Sequence, residues 1–288
     1  MNRASVVIAA LGLALASGWG CGGANVGGHE LATYEAPDSP PVPLPSGPTF
    51  FIPGEEMTWD ISLHGIVGAQ ASLALGQPGV VDGHNAVVVR SRTRTSGVLS
   101  MVKEVRDEVT SWVDLETGAP IKHEASLKFG DKESEVQTEF TPRGYHLRYQ
   151  RHGRPGVMHY IQAIPDGIAH DGLSIIGALR AWEPADGARA YFYVLSGRRL
   201  WRNDIAFSKR ETLKTAFGVV PTLRFEGSGQ RLDGRLRVVT SKPPRTYTVW
   251  ITDDANRLPV LVEAHTEYGN VRVEMIHYDR PERRVVSR

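Results

Sequence analysis

From Met57 to Leu63 the chain reads Met-Thr-Trp-Asp-Ile-Ser-Leu, apolar and polar in strict alternation. Successive side chains of a strand point to opposite faces, so this pattern predicts a strand with one face buried. Ala69, Ala71, Leu73 and Leu75 resume the alternation beyond Gly65 and Gly68. Comparable runs cover 86–92, 121–129, 135–141, 145–149, 190–195, 219–225, 246–252, 258–266 and 271–278. Turn formers separate them: Asp82-Gly83, Thr117-Gly118, Gly130-Asp131, Arg143-Gly144, Asp186-Gly187, Asp233-Gly234 and Gly269-Asn270. Glycine reaches positive φ at no steric cost, and Asp or Asn bonds its own backbone, so such pairs reverse the chain tightly. The expected fold is mainly β, a curved antiparallel sheet or partly open barrel with one or two short helices.

One stretch has helical period. Leu173, Ile176, Leu179 and Trp182 fall on one face of a helix that Asp171 can cap and Pro184 must end. Val98, Met101, Val102, Val105, Val109 and Trp112 are also helically spaced. We read a short helix near Val98–Val102 there, followed by a strand through Glu108–Asp114.

The first twenty residues differ in kind. Arg3 precedes an apolar run from Val6 to Ala16, and small residues follow at Ser17, Gly18 and Gly20. This is the build of an export signal, and the run is shorter than the roughly 20 residues a membrane helix needs. Two cleavage readings compete. Ala14-Leu15-Ala16 suits ordinary signal peptidase. Gly20-Cys21 is similar to the end of a bacterial lipobox, which makes Cys21 a lipidation site and the new N-terminus; Gly18 and Trp19 depart from the usual lipobox. Cys21 is the only cysteine in the chain, so no intrachain disulfide can form. By resemblance to lipoprotein sorting, Gly22 rather than Asp after the cysteine favours the outer membrane over the inner.

Residues 22–48 are rich in Gly, Pro and Ser, with Pro37, Pro40, Pro41, Pro43, Pro45 and Pro48 opposing helix and sheet. They read as a tether. The chain therefore divides into a signal peptide at 1–20, a tether at 21–48, one β-rich domain at 49–280 and a tail at 281–288. The formal net charge of +1 over 288 residues gives no electrostatic reason to expect nucleic acid.

Candidate chemistry is sparse. Gly172-Leu-Ser-Ile-Ile-Gly177 lacks the spacing of a nucleophile elbow and places Ser174 inside the helix. Phe225-Glu-Gly-Ser-Gly-Gln230 has no Lys-Ser/Thr after it and is no phosphate loop. His29, His64, His84, His123, His146, His152, His159, His170, His265 and His277 form no metal-binding spacing and read as surface or turn residues. Asp253-Asp254-Ala-Asn256 lacks the closing Glu of a calcium loop and reads as a turn. Glu104, Asp107 and Glu108 alternate with Lys103 and Arg106 as on a solvated face. No catalytic, metal or cofactor site is assigned, and the chain is read as a non-enzyme.

Several landmarks occur in order: Phe51-Ile-Pro-Gly-Glu55, Trp59, Gly65-Ile-Val-Gly68, Arg92-Thr-Arg-Thr-Ser-Gly97, Asp107, His170-Asp-Gly-Leu-Ser174, Leu179-Arg180 and Val249-Trp-Ile-Thr-Asp-Asp-Ala-Asn-Arg-Leu-Pro-Val260 before a Gly269 hairpin. Over residues 50–278 the chain resembles the exported bacterial family catalogued as domain of unknown function 3108. The resemblance implies an exported, mainly β domain and brings no activity. It also implies that Trp250 and Leu258 pack across a hairpin with Arg257 at its rim. Core packing is the expected role of every tryptophan after Cys21. The functional expectation is an envelope lipoprotein whose concave sheet binds an apolar ligand or lipid. The alternatives are a structural or interaction protein of the envelope, and a hydrolase of envelope polymer.

Overall fold

A computed structural model describes residues 40–97, 104–266 and 269–281. Among the described residues the alternation read from sequence becomes one sheet of seventeen strands around one helix. In chain order the strands are β1 (Val42–Pro43), β2 (Glu56–Leu63), β3 (Ile66–Leu75), β4 (Gly79–Val81), β5 (His84–Thr95), β6 (Val105–Asp114), β7 (Pro120–Phe129), β8 (Lys132–Thr141), β9 (Gly144–Arg151), β10 (Val157–Ala163) and β11 (Ala169–Asp171). Helix α1 (Ser174–Ala181) follows, then β12 (Arg189–Ser196), β13 (Arg199–Thr215), β14 (Gly218–Arg231), β15 (Arg245–Thr252), β16 (Pro259–Thr266) and β17 (Gly269–Asp279).

The first long strand and the last are neighbours: β2 pairs antiparallel with β17 at the middle of the sheet. From that seam the N-terminal half runs outward through β3, β5, β6, β7, β8 and β9 to β10. The C-terminal half runs the other way through β16, β15, β14 and β13 to β12. Short β4 pairs with β5. On the outer edge of β12, β1 and β11 both lie parallel to it. The sheet curls but does not close. Its two ends meet through a side chain: Arg198, in the β12–β13 turn, donates from Nη1 to the Tyr160 hydroxyl of β10 at 2.8 Å.

Two-residue loops make several reversals possible. His64-Gly65 and Asp82-Gly83 have positive φ at both residues (51° and 80°, 50° and 84°), the hairpin geometry whose twist matches that of the strands.

Helix α1 fills the concave face. Ser174, Ile175, Ile176, Gly177, Leu179 and Arg180 are all buried, so the helix is covered nearly all round and not on one face only. Its cap is as the sequence predicts. Asp171 Oδ1 accepts the backbone N–H groups of Leu173 and Ser174, each at 2.8 Å, and Ser174 Oγ accepts the Asp171 N–H at 3.1 Å. This reciprocal pair satisfies otherwise orphaned donors at the helix start. Trp182, just past the helix, stacks on Phe225, which meets Phe207, so one apolar core joins helix and sheet.

The structure departs from the sequence reading of the elements at the docked N-terminal segment, β13 and β10. Residues 42–51, partly inside the predicted tether, dock on the body: Leu44 donates to the Tyr191 carbonyl at 2.7 Å and is buried. Phe50 N–H reaches the Gly177 carbonyl at 3.2 Å. Polyproline-like backbone can still pair at a sheet edge, where it need not supply every donor. The strand β13 was not predicted, because Arg, Asp, Lys and Glu on its outer face mask the inner alternation. Strand β10 was not predicted either; it is an end strand with Ile161 77% exposed, so no buried face marks it. The helix expected near Val98–Val102 lies outside the described residues, while the strand predicted after it is β6.

Candidate functional site

Three polar clusters lie inside the curled sheet. The first locks the helix. Arg180 and Glu55 side chains are fully buried, with Arg180 Nη1 and Nη2 donating to Glu55 Oε1 at 2.5 Å and Oε2 at 3.0 Å. Arg180 also donates to the carbonyls of Arg257 at 3.0 Å and Asn256 at 2.9 Å. Arg257 answers by donating to the carbonyls of Arg180 and Trp182. It therefore does not face the rim, as the sequence reading had it. With φ at 50°, its side chain turns inward and caps the C-terminal end of α1, where carbonyls lack helical partners. Asp254 shapes this loop by accepting from Thr252 Oγ1 at 2.8 Å and from the N–H groups of Asn256 at 2.8 Å and Arg257 at 3.1 Å. The Asp253–Asn256 stretch is a turn.

The second cluster surrounds the helix start. Asp171 Oδ2 accepts from Ser111 Oγ at 2.5 Å and lies 3.4 Å from His123 Nδ1. Burial would raise the Asp171 carboxyl, but His123, Ser111 and the helical N–H groups outweigh it and hold the acid below its usual range. His170 is buried, 3.2 Å from Ser174 Oγ, and burial lowers it to about 4, so it is neutral at pH 7. His123 and His170 are thus not surface residues; they sit on β7 and β11, which flank the helix start. Ser, His and Asp meet here without the geometry of a nucleophile. Ser111 bonds the acid and not a histidine, and the Ser174 hydroxyl, 0% exposed, is occupied in the cap. On the inward face of β6, Asp107 is 2% exposed, a correction to the solvated-face reading. Strand alternation, not local charge, decides its side. Burial pushes its carboxyl well above the usual range, offset only in part by the Lys128 N–H.

The third cluster is the candidate site. Along β13 every second residue points inward, giving Arg199, Trp201, Asn203, Ile205 and Phe207 in that order. Opposite them on β14 stand Arg231 across from Trp201, Gly229 across from Asn203, Gly227 across from Ile205 and Phe225 across from Phe207. On β15, Tyr247 stands across from Gly227. The glycine is required there, since a Cβ would fall 2.2 Å from the Tyr247 ring. Trp201 Nε1, both amide atoms of Asn203, Arg231 Nε and the Tyr247 hydroxyl are all buried without a hydrogen-bond partner. Asn203 is 0% exposed and Tyr247 4%. Burial keeps the Tyr247 hydroxyl protonated by pushing it well above its ordinary value. Buried polar groups are nearly always bonded, so five such atoms on three adjacent strands are unusual. Sequence reasoning missed these residues. The period-two series Arg-x-Trp-x-Asn-x-Ile-x-Phe was the available signal.

Cys21 lies outside the described residues. Trp59, Trp182, Trp201 and Trp250 are buried, while Trp112 is half-buried under the Lys122 ammonium at 4.1 Å. Among the described residues no His, Cys, Asp and Glu group of three or more is arranged to hold a metal ion. No helix among them is long and apolar enough to cross a membrane, which says nothing of strands.

These features define a class: an open, curled antiparallel sheet wrapped on a buried helix, with a polar inner wall on β13, β14 and β15. The chain belongs to the family described as protein of unknown function (DUF3108), whose model matches residues 56–276. No curated protein matches it. Among solved structures it is similar to a beta-barrel-like protein of domain of unknown function DUF1849 from Brucella abortus, at 10% identity and a TM-score of 0.49, covering 84% of this chain and 100% of that one. It is also similar to a protein named as exported, with a YmcC-like fold, from Bacteroides fragilis, at 9% identity and a TM-score of 0.36, covering 80% and 99%. A protein named as a lipoprotein from Parabacteroides distasonis matches at 10% identity and a TM-score of 0.36, again covering 80% and 99%. Likeness at this level says nothing of what the chain binds.

Proposed function

We propose that the protein is a non-enzymatic cell-envelope lipoprotein, anchored through acylated Cys21, that binds an amphipathic molecule on the inner wall of its curled sheet. The observation that carries this is the graded inward face of β13: cationic at Arg199, polar at Trp201 and Asn203, apolar at Ile205 and Phe207. A ligand with a polar head and an apolar tail matches that gradient end for end. It also supplies partners to buried groups that otherwise lack them. Of the apolar ligand or lipid expected from sequence, a ligand without a polar head matches it less well, because it would leave Trp201 Nε1 and the Asn203 amide unbonded. The signal-like first twenty residues and Gly22 after the cysteine support an outer-membrane address facing the periplasm.

Native mass spectrometry of the full chain, extracted from its own envelope in mild detergent, tests the binding reading. An added mass that leaves on denaturation, with an amphiphile recovered in the organic extract, is the expected result. A population with the bare lipoprotein mass overturns it.

One observation favours a second reading, an interaction role. Beyond its neighbours, the β13–β14 hairpin projects as a two-stranded ribbon whose tip exposes Phe217 (44%) and Val219 (70%). Crosslinking from that tip to an envelope protein would support it.

A further inference from the structure

The cationic end of the graded wall carries a further inference, which rests on the amphiphile reading above. Arg199 and Arg231 are half-buried at the end of the inner face of β13 and β14, with Arg231 directly across from Trp201 and Arg199 two residues before it. Arg198, in the adjoining turn, reaches across the opening of the sheet to the Tyr160 hydroxyl, and its guanidinium lies 5.5 Å from the Tyr149 ring centre. The Arg245 guanidinium lies over the Trp201 ring at 4.8 Å. Four guanidinium groups from β13, β14, β15 and the β12–β13 turn thus gather where the two ends of the sheet meet. Among the described residues no carboxylate forms an ion pair with Arg198, Arg199 or Arg231. Elsewhere on this protein partly exposed arginines find acids: Arg224 with Glu226, Arg237 with Asp233, Arg272 with Glu263.

We propose that this rim is an anion site that holds a phosphate group, as monoester or diester, between Arg199 and Arg231, with Trp201 Nε1, Asn203 and the Tyr247 hydroxyl bonding the neutral polar portion next to it. Arginine suits the task because its planar fork meets two phosphate oxygens at once. The arginines also weaken one another: burial first, then Arg231 and Arg198, lowers Arg199, and burial, then Arg198, lowers Arg231. An anion removes that repulsion, and it gives the buried Arg231 Nε the acceptor it lacks.

The test is titration calorimetry of the full-length protein in uncharged detergent with three probes: dihexanoyl phosphatidic acid, dihexanoylglycerol with the same tails, and inorganic phosphate. The phosphate lipid is expected to bind about tenfold more tightly than the neutral one, with a preference that falls as salt rises. Arg231→Gln should abolish the preference and Arg231→Lys should keep part of it. Arg237→Gln, at an exposed pair elsewhere, should leave it intact, and melting curves confirm that each variant is folded. Inorganic phosphate that competes with the lipid at equal concentration assigns the site to the free anion; failure to compete assigns it to a phospholipid head. Equal affinity for the two lipids, or a preference untouched by Arg231→Gln, overturns the anion site while leaving the amphiphile reading. If neither lipid binds, that reading falls; phosphate binding lost in Arg231→Gln would still sustain the anion site, and its absence would remove both.

Discussion

Arg180 and Arg257 hold each other's main chain: Arg180 Nε donates to the Arg257 carbonyl at 3.0 Å, and Arg257 Nε donates to the Arg180 carbonyl at 3.1 Å. The pair joins the end of the buried helix to the β15–β16 loop, and Glu55 neutralises Arg180 from the segment before β2. Three stretches far apart in sequence are fixed at one point. Helix α1 could not otherwise stop inside an apolar core, because its last carbonyls would be buried without donors.

Removing Glu55 should therefore be costly. Glu55→Ala leaves a buried arginine charge uncompensated, and a loss of about 3–5 kcal/mol is expected in urea unfolding. The double change Glu55→Leu with Arg180→Met should recover much of it, since apolar replacements of buried pairs are often tolerated. A single-variant loss below about 1 kcal/mol would show that the pair is not the anchor.

Gly177 sets how closely the docked N-terminal segment crosses the helix. A Cβ there would fall 2.0 Å from Thr49 Oγ1 and 2.7 Å from the Phe51 ring. Alanine improves helix propensity by about 1 kcal/mol, but overpacking costs about 1–3 kcal/mol, so Gly177→Ala should lower the melting temperature. Adding Thr49→Gly should restore part of the loss; no restoration would place the strain elsewhere.

Asp107 gives a pH signature. Its folded pKa is raised, so the folded protein binds more protons than the unfolded chain above the ordinary carboxyl range, and stability from this group falls as pH rises. Asp107→Asn removes the charge and keeps an acceptor for the Lys128 N–H, at 3.2 Å in the wild type. The variant should match wild type near pH 4 and melt at a higher temperature by pH 8. A constant difference across that range would refute the assignment.

His170 acts in the opposite direction. Its folded pKa of about 4 lies below the ordinary 6.5, so the unfolded chain takes up the proton first. Stability should fall by roughly 1.4 kcal/mol per pH unit as pH drops from 6.5 towards 4. His170→Asn should flatten that slope, as read by unfolding at several pH values.

Asn203 tests the binding wall. Both of its amide atoms are buried without partners, so the empty protein should gain about 1–2 kcal/mol from Asn203→Leu. The same variant should lose the amphiphile that co-purifies with wild type. Stability gained with ligand retained would detach Asn203 from binding.

Strands were legible wherever one face is buried and the other solvated. The run from Met57 to Leu63 became β2 nearly residue for residue, and the cap at Asp171 followed from its oxygen and the helical spacing after it. The candidate site was not legible. Arg199, Trp201 and Asn203 look like ordinary surface and core residues until β14 and β15 set Arg231 and Tyr247 beside them. Asp107 was misread for a different reason: its neighbours Arg106 and Glu108 made it look solvated, although strand alternation puts it on the buried face with Val105 and Val109.

The sequence by itself determined the class of fold and the helix with its cap, because both rest on local periodicity. The tertiary structure decided which face of each strand meets the helix, where Arg257 turns, and which polar groups stay buried without partners. Those outcomes depend on register between strands two hundred residues apart and more, as where Trp59 Nε1 donates to the Pro259 carbonyl at a separation of 200 residues. No local pattern encodes which distant residue will stand opposite, and it is that opposition that gathers the arginines where the two ends of the sheet meet.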